Sequence, residues 1–334
     1  MSVKVSVIIP TYKRPAFICR AINSVLNQTY SNIEVIVVDD NDENCEDRKK
    51  MEEIMEQYKN NKKVIYLKHK KNKNGAAARN TGILQAKGDY ITFLDDDDYF
   101  LKNRIKNILQ KISEKGKKAD LYYTGVIVIE NNKIKKIVRN TKSGNLQKDI
   151  LSQKSFFATG SNLFFSKKSL VDINGFDESF FRHQDLEVLV RYFSKYEVDY
   201  IEDFSVVKME EDRSNVPNID KMIEYRIKFL ETFQKQINNF EKDEIKKIYT
   251  DNYYNLLVYL VRNRQLRNIN KLDYFKKKYS PNLTFQKRIK LVLEIFDLYF
   301  PISKIYRFIR LKRTIKLLPD KTLIELKESE QYDR

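Results

Sequence analysis

The sequence predicts an α/β fold, a mostly parallel sheet with helices on both faces, followed by an α-helical C-terminal region. Three observations predict it. Apolar, β-branched runs alternate with helical patterns through the first hundred or so residues, an order that joins parallel strands by crossover helices. Polar clusters stand just after three of these runs, at Thr11–Arg14, Asp39-Asp40 and Asp95–Asp98. From about residue 219 the pattern turns helical and stays so.

The elements follow in order. Val3, Val5, Val7, Ile8 and Ile9 form a buried strand that ends at Pro10. Residues 15–28 place Phe17, Ile18, Ala21, Ile22, Val25 and Leu26 on one face of a helix. Ile33–Val38 is a second strand, 46–60 a charged helix, Val64–Leu67 a third strand, Gly75–Ala86 a helix opened by glycine, and Tyr90–Leu94 a fourth strand. A helix is expected over 101–118, and a hairpin of Leu121–Glu130 with Lys133–Val138 around Asn131-Asn132. Residues 155–215 mix short strands and helices, and helices are expected at 219–238, 241–263, 268–279, 284–299 and 302–317.

This pattern, with Pro217, divides 334 residues into an α/β domain over 1–216, with halves at about 1–100 and 101–216, and a helical region over 217–334. The formal net charge is +17, and it is unevenly spread. Residues 1–100 carry 16 basic and 15 acidic side chains, 101–215 carry 21 and 16, and 216–334 carry 26 and 15. A basic last third favours phosphate-bearing partners. Two cysteines, Cys19 and Cys45, support neither a disulfide framework nor a cysteine zinc site. The opening MSVKVSVIIP is too short and strand-like for a signal peptide, and no run of 18 uncharged apolar residues exists. The expectation is a cytoplasmic chain, with any contact at the inner face of the membrane peripheral.

The strongest chemical signal is Asp95-Asp96-Asp97-Asp98 at a strand end. Adjacent carboxylates repel one another, so a fold that gathers them needs a reason. A divalent cation, Mn²⁺ or Mg²⁺, supplies one, since these ions take one or two carboxylates together with substrate phosphates. In open α/β sheets ligands bind beyond the carboxyl ends of the strands, so three polar loops point at one crevice.

In order and spacing, VSVIIPTYKRP, VIVVDD, GAAARNTGI, GDYITFLDDDD and GFDESFFRHQDLEVLVR resemble the family 2 glycosyltransferases of the GT-A fold, a Rossmann-like sheet, over about residues 3–215. The resemblance implies a nucleotide-sugar donor, usually a UDP-sugar, a divalent metal and inversion at the anomeric carbon. It implies that Pro10, Thr11 and Tyr12 meet the uracil, that Arg14 reaches acceptor or phosphate, and that Asp39 accepts from a base N–H. Arg79 is implied near the diphosphate, Asp96 at the ribose, and Asp95 with Asp97 as the metal-binding pair. Asp185, following Gly175-Phe176-Asp177-Glu178, is the implied general base, with His183 and Gln184 beside it as candidate acceptor or phosphate contacts. Relatives often carry Glu where this chain has Gln184. Many also place a downstream His at the metal or diphosphate; here Glu210, Glu211, Asp212 and Arg213 fill that region, and Arg213 is the candidate phosphate contact.

The implied acceptor is a glycan or a polyprenyl-diphosphate-linked glycan, in surface polysaccharide synthesis such as that of a capsule. The stretch 284–318 is amphipathic, and 302–318 carries six basic residues and no acid; it suits an anionic membrane surface or a packed interface, including a homodimer. Two other functions compete. A sugar-phosphate nucleotidyltransferase would need a glycine-rich first loop, which PTYKRP lacks. A non-enzymatic nucleic-acid-binding protein would not gather acids in its crevice; no nucleic-acid partner is expected.

Overall fold

A computed structural model describes residues 3–116, 118–210, 218–299, 311–312, 314–316 and 318–329. The chain forms two compact units that are not consecutive blocks of sequence. One comprises Met1–Leu146, Phe156–Glu211 and Thr314–Arg334; the other comprises Gln147–Ser155 and Asp212–Arg313.

The first unit holds strands β1 (Val5–Thr11), β2 (Ile33–Asp39), β3 (Val64–Lys68), β4 (Tyr90–Phe93), β5 (Tyr99–Phe100), β6 (Leu121–Tyr123), β7 (Val126–Glu130), β8 (Lys133–Val138), β9 (Phe164–Ser166), β10 (Val198–Tyr200) and β11 (Val206–Met209). Its helices are α1 (Ile18–Leu26), α2 (Glu46–Glu56), α3 (Gly75–Gln85), α4 (Arg104–Lys115), α6 (Lys167–Asp172), α7 (Gln184–Tyr192) and a C-terminal helix, Asp320–Ser329; α5 (Gln147–Leu151) belongs to the second unit. The main sheet runs β10-β6-β9-β4-β1-β2-β3. It is parallel except at β9, which is antiparallel to β4 and β6.

The expected α/β sheet is therefore present, and its register positions the loops. Thr11 pairs with Asp39 at the end of β1 and β2. Ile8 pairs with Phe93, and the Leu94 N–H reaches the Ile8 carbonyl, so the acidic run begins just beyond β4. Alternate residues Val5, Val7 and Ile9 join Ile18, Ala21, Ile22 and Val25 of α1 in the main core. Each such side chain, fully buried, contributes roughly 1.5–3 kcal/mol if aliphatic and large.

The expected strand Leu121–Glu130 is instead two strands in two sheets. β6 joins the main sheet and β7 joins a second one, ordered β5-β11-β7-β8. The Asn162 side chain takes the place of a ladder partner at the break, accepting from Thr124 N–H at 3.0 Å and donating to its carbonyl at 2.7 Å. Gly125 N–H turns to the Asp203 carbonyl at 2.8 Å. The second sheet buries Tyr99, Leu101, Ile127, Phe204 and Val207 with Leu318 and Leu326 of the C-terminal segment. Asn103 donates to Glu325, and Ser329 donates to the Tyr99 hydroxyl.

The second unit contains α5, α8 (Ile219–Thr232), α9 (Gln234–Ile237), α10 (Lys242–Arg262), α11 (Asp273–Tyr279) and α12 (Phe285–Tyr299). The helix expected over 219–238 breaks at Phe233, and the one over 268–279 begins with a 3-10 turn, Leu266–Leu272. Buried Arg226 donates to Asn252 at 2.9 Å, and Asn252 donates to the Leu151 carbonyl at 2.8 Å, tying α5 to α10. Most of the expected helix 302–317 lies outside the described residues. No described helix is long and apolar enough to cross a membrane.

Candidate active site

The chain winds from β1 to β2 and β3 on one side, then returns to place β4 on the other side of β1. That reversal opens a crevice at the carboxyl ends of β1 and β4. Thr11 and Asp96 close its floor: the Thr11 hydroxyl donates to Asp96 Oδ2 at 2.8 Å. The acidic run thus divides by direction. Asp96 turns toward Thr11, while Asp95, Asp97 and Asp98 each bring a carboxylate oxygen within 4.8 Å of the others.

Asp98 is the deepest, 1% exposed. It accepts from Ser161 Oγ at 2.7 Å, from Thr159 Oγ1 at 3.0 Å and from the Met209 N–H at 3.3 Å. Burial pushes its carboxyl up, and the neighbouring Asp95 and Asp97 charges push it further. Burial also lifts Asp96, to about 7, against the opposing Arg14 and Thr11. Arg14 donates to Asp97 Oδ2 at 2.6 Å, and Arg20 donates to the Asp97 carbonyl at 2.8 Å. Three oxygen donors, two of them buried and one half-buried, fit an oxygen-seeking divalent ion that keeps an open side for phosphate.

Arg79 joins this trio to the helix that carries Asp185. Its guanidinium donates to Asp95 Oδ1 and to Gln184 Oε1, both at 2.9 Å. A Cβ on Gly75 would lie 3.0 Å from both Arg79 Nη1 and Gln184 Oε1, so the glycine makes room for this pair. Asp185 lies in the first turn of α7, where a carboxylate is favoured by the helix dipole. Its carboxylate packs on Gly160, where an added Cβ would meet Oδ1 at 2.8 Å. Burial raises the Asp185 carboxyl, and Arg79 opposes the rise. Next to Gly160, Ser161 donates to the Asp98 carboxylate and accepts from the Asp95 N–H, so one short turn touches Asp185, Asp98 and the Asp95 backbone.

Asp39 differs from the expectation. It is 0% exposed, and its carboxylate is already taken: Tyr66 donates at 2.6 Å, Arg48 pairs at 2.8 Å, and Asn41 donates through its backbone at 2.9 Å and its side chain at 2.8 Å. A base N–H would reach it only by displacing one of these donors. Asp39 here ties β2 to β3 and α2. Asp40 is similarly enclosed by His69, Asn72 and the N–H groups of Lys73 and Asn74.

Pro10 is half-buried, and Tyr12 is exposed with the Lys13 ammonium 5.1 Å from its ring centroid. His183 precedes α7 at φ 60. Glu210 pairs with Lys135 at 2.8 Å, while Glu211, Asp212 and Arg213 lie outside the described residues. Sequence reasoning missed several residues. Asn80 clamps the Gly175–Glu178 loop, exchanging two 2.9 Å hydrogen bonds with the Phe176 backbone. Ser161 and Thr159 hold Asp98, and Lys208 on β11 exerts a field on both Asp98 and Asp185. Only the neighbouring Asn in GAAARN offered a signal; the rest depend on strands far apart in sequence.

Residues 6–173 match the profile of Glycosyl transferase family 2. An uncharacterized glycosyltransferase of Methanocaldococcus jannaschii, MJ1057, is 29% identical over 77% of this chain and 87% of its own length. The GalNAc(5)-diNAcBac-PP-undecaprenol beta-1,3-glucosyltransferase of Campylobacter jejuni is 34% identical over 54% of this chain, and the match spans 57% of that enzyme. The structure of S. aureus TarS 1-349 in complex with UDP-GlcNAc aligns with a TM-score of 0.58 at 18% identity, covering 99% of this chain and 88% of that one. At that identity the likeness shows the fold, a GT-A-like α/β sheet with a helical region after it.

Proposed function

We propose a specific reaction for this chain, which belongs to glycosyl transferase family 2: transfer of a sugar, with inversion, from a UDP-sugar to a hydroxyl of a glycan or polyprenyl-diphosphate-linked acceptor, assisted by Mn²⁺ or Mg²⁺. The observation that carries it is the Asp95–Arg79–Gln184 chain of hydrogen bonds, which sets Asp185 beside the acidic trio. The donor class and the lipid-linked acceptor are supported by the UDP-GlcNAc complex of TarS and by the undecaprenol-linked substrate in the name of the Campylobacter relative.

In this reading Asp95, Asp97 and Asp98 hold the cation, which when bound neutralises charge on the diphosphate. Arg14 adds positive charge at Asp96 and Asp97, Lys208 acts on Asp98 and Asp185, and Arg79 fixes Asp95 and the start of α7. Asp185 accepts the proton of the acceptor hydroxyl as that oxygen attacks the anomeric carbon. The bond from that carbon to the phosphate oxygen breaks, and UDP leaves with the electron pair. Its burial supports this role, because a raised carboxyl is a stronger base. The basic, amphipathic 284–318 stretch supports work at an anionic membrane surface.

The test is turnover of a panel of UDP-sugars with Mn²⁺, with Mg²⁺ and with EDTA, with and without a lipid-linked acceptor, followed by NMR of the product's anomeric configuration. Turnover unaffected by EDTA removes the cation; a retained configuration removes the single displacement.

A further inference from the structure

The helical unit contains a cavity of about 730 Å³ lined by none of the residues assigned to the glycosyl transfer. Its wall comes from the Ser152–Lys154 loop, from α10 between Asp243 and Asn255, and from residues between Asn282 and Lys290. Five lysines line it, Lys154, Lys246, Lys247, Lys287 and Lys290, against two aspartates, Asp243 and Asp251.

The lysines fall into two groups. Lys154 and Lys287 both pair with Asp251, the former at 2.7 Å, and so build the wall. Lys246, Lys247 and Lys290 are exposed and have no carboxylate within ion-pair distance among the described residues. Three like charges around one cavity repel one another, and an anion relieves that repulsion.

Two polar groups point to the same ligand chemistry. Gln153 sits in the left-handed region, at φ 58, and its side-chain amide nitrogen is a buried donor without an acceptor among the described residues. The Thr250 hydroxyl accepts from the Asn282 N–H at 3.1 Å, which leaves its own proton to donate. Ammonium groups, an amide N–H and a hydroxyl are all donors, and together they suit an acceptor-only ligand with several oxygens. Tyr254 and Asn255 line the same wall, with the Lys287 ammonium 5.6 Å from the Tyr254 ring centroid.

We infer that this cavity is a binding site for a ligand carrying closely spaced phosphates, a diphosphate or phosphodiester group, separate from the carboxylate site. Such a group is carried by a lipid headgroup or by a soluble phosphorylated glycan, and the shared chemistry is the phosphate.

The full-length chain is titrated with inorganic pyrophosphate in EDTA, where the cation-free acidic site repels the anion and the result does not depend on the glycosyl-transfer reading. The parent protein is expected to bind, more weakly as salt rises. The triple variant Lys246→Gln/Lys247→Gln/Lys290→Gln is expected to lose about tenfold or more in affinity with an unchanged melting temperature and unchanged UDP-sugar hydrolysis. Gln153→Ala should weaken binding without altering charge. Flotation with vesicles of equal phosphatidylcholine and phosphatidylglycerol then separates the sources: flotation that the triple variant loses supports a lipid phosphate, and pyrophosphate binding without flotation supports a soluble one. No pyrophosphate binding by the parent, or equal binding by a folded triple variant, overturns the inference.

Discussion

The Arg14 guanidinium lies 2.6 Å from the Asp97 carboxylate and 3.3 Å from that of Asp96. It already engages a carboxylate of the acidic trio, so a divalent ion bound there competes with the guanidinium for Asp97. Arg14→Gln should therefore bind Mn²⁺ more tightly in the absence of nucleotide, and bind UDP less tightly in its presence because a charge partner of the diphosphate is gone. Calorimetry with Mn²⁺ alone and with UDP separates the two effects. Equal Mn²⁺ affinity in parent and variant would mean that the ion does not use Asp97.

Asp97→Ala and Asp98→Asn should each abolish the Mn²⁺-dependent part of the rise in melting temperature that UDP produces, because a ligand bound only by the native state stabilises it by mass action. The two differ without metal. Asp98 anchors Ser161, Thr159 and the Met209 N–H, so Asp98→Asn should also destabilise the metal-free protein, by about 1–3 kcal/mol. Denaturant melts in EDTA read this difference. An intact Mn²⁺ shift in Asp97→Ala would exclude that residue as a ligand.

Asp185→Asn should keep UDP affinity and lose transfer by about 10²-fold or more, the usual consequence of removing a general base. Calorimetry with UDP and a turnover assay measure the two halves separately. Near-parental turnover would overturn the assignment.

Stability without metal should depend on pH through Asp96. Burial lifts its carboxyl to about 7 in the folded protein, against about 4 in an unfolded chain. Folding therefore takes up a proton between those values. The contribution is fully present below the unfolded value and is lost as pH rises through about 7. Parent protein in EDTA should lose melting temperature across that window relative to Asp96→Asn, which has no proton to lose. Parallel pH profiles for the two proteins would show that the Asp96 shift is absent.

The legible parts of this molecule are those fixed by local pattern. Alternating apolar runs gave β1 to β4 with α1 to α3, and the polar residues after each run pointed to the crevice. The place of Asp185 at the start of a helix was legible because the segment before it is contiguous. The illegible parts depend on partners far away in sequence. Asp39 looked open because Tyr66 lies 27 residues on, in another strand. The split of Leu121–Glu130 into two sheets rests on Asn162, 38 residues beyond Thr124. Ser161 and Thr159 became part of the site only because β9 inserts antiparallel beside β4.

The C-terminal helix Asp320–Ser329 packs through Leu326 and Glu325 on Leu101 and Asn103, in the same unit as the carboxylates. The helical unit is therefore an insertion within the fold of the first unit. During synthesis on the ribosome, the apolar face of the second sheet, complete once β11 ends at Met209, waits until more than one hundred further residues have emerged before its last cover arrives. Shortening the chain near residue 216 would leave Tyr99, Leu101 and Ile127 without that cover, an adhesive surface on the very unit such a truncation is meant to isolate.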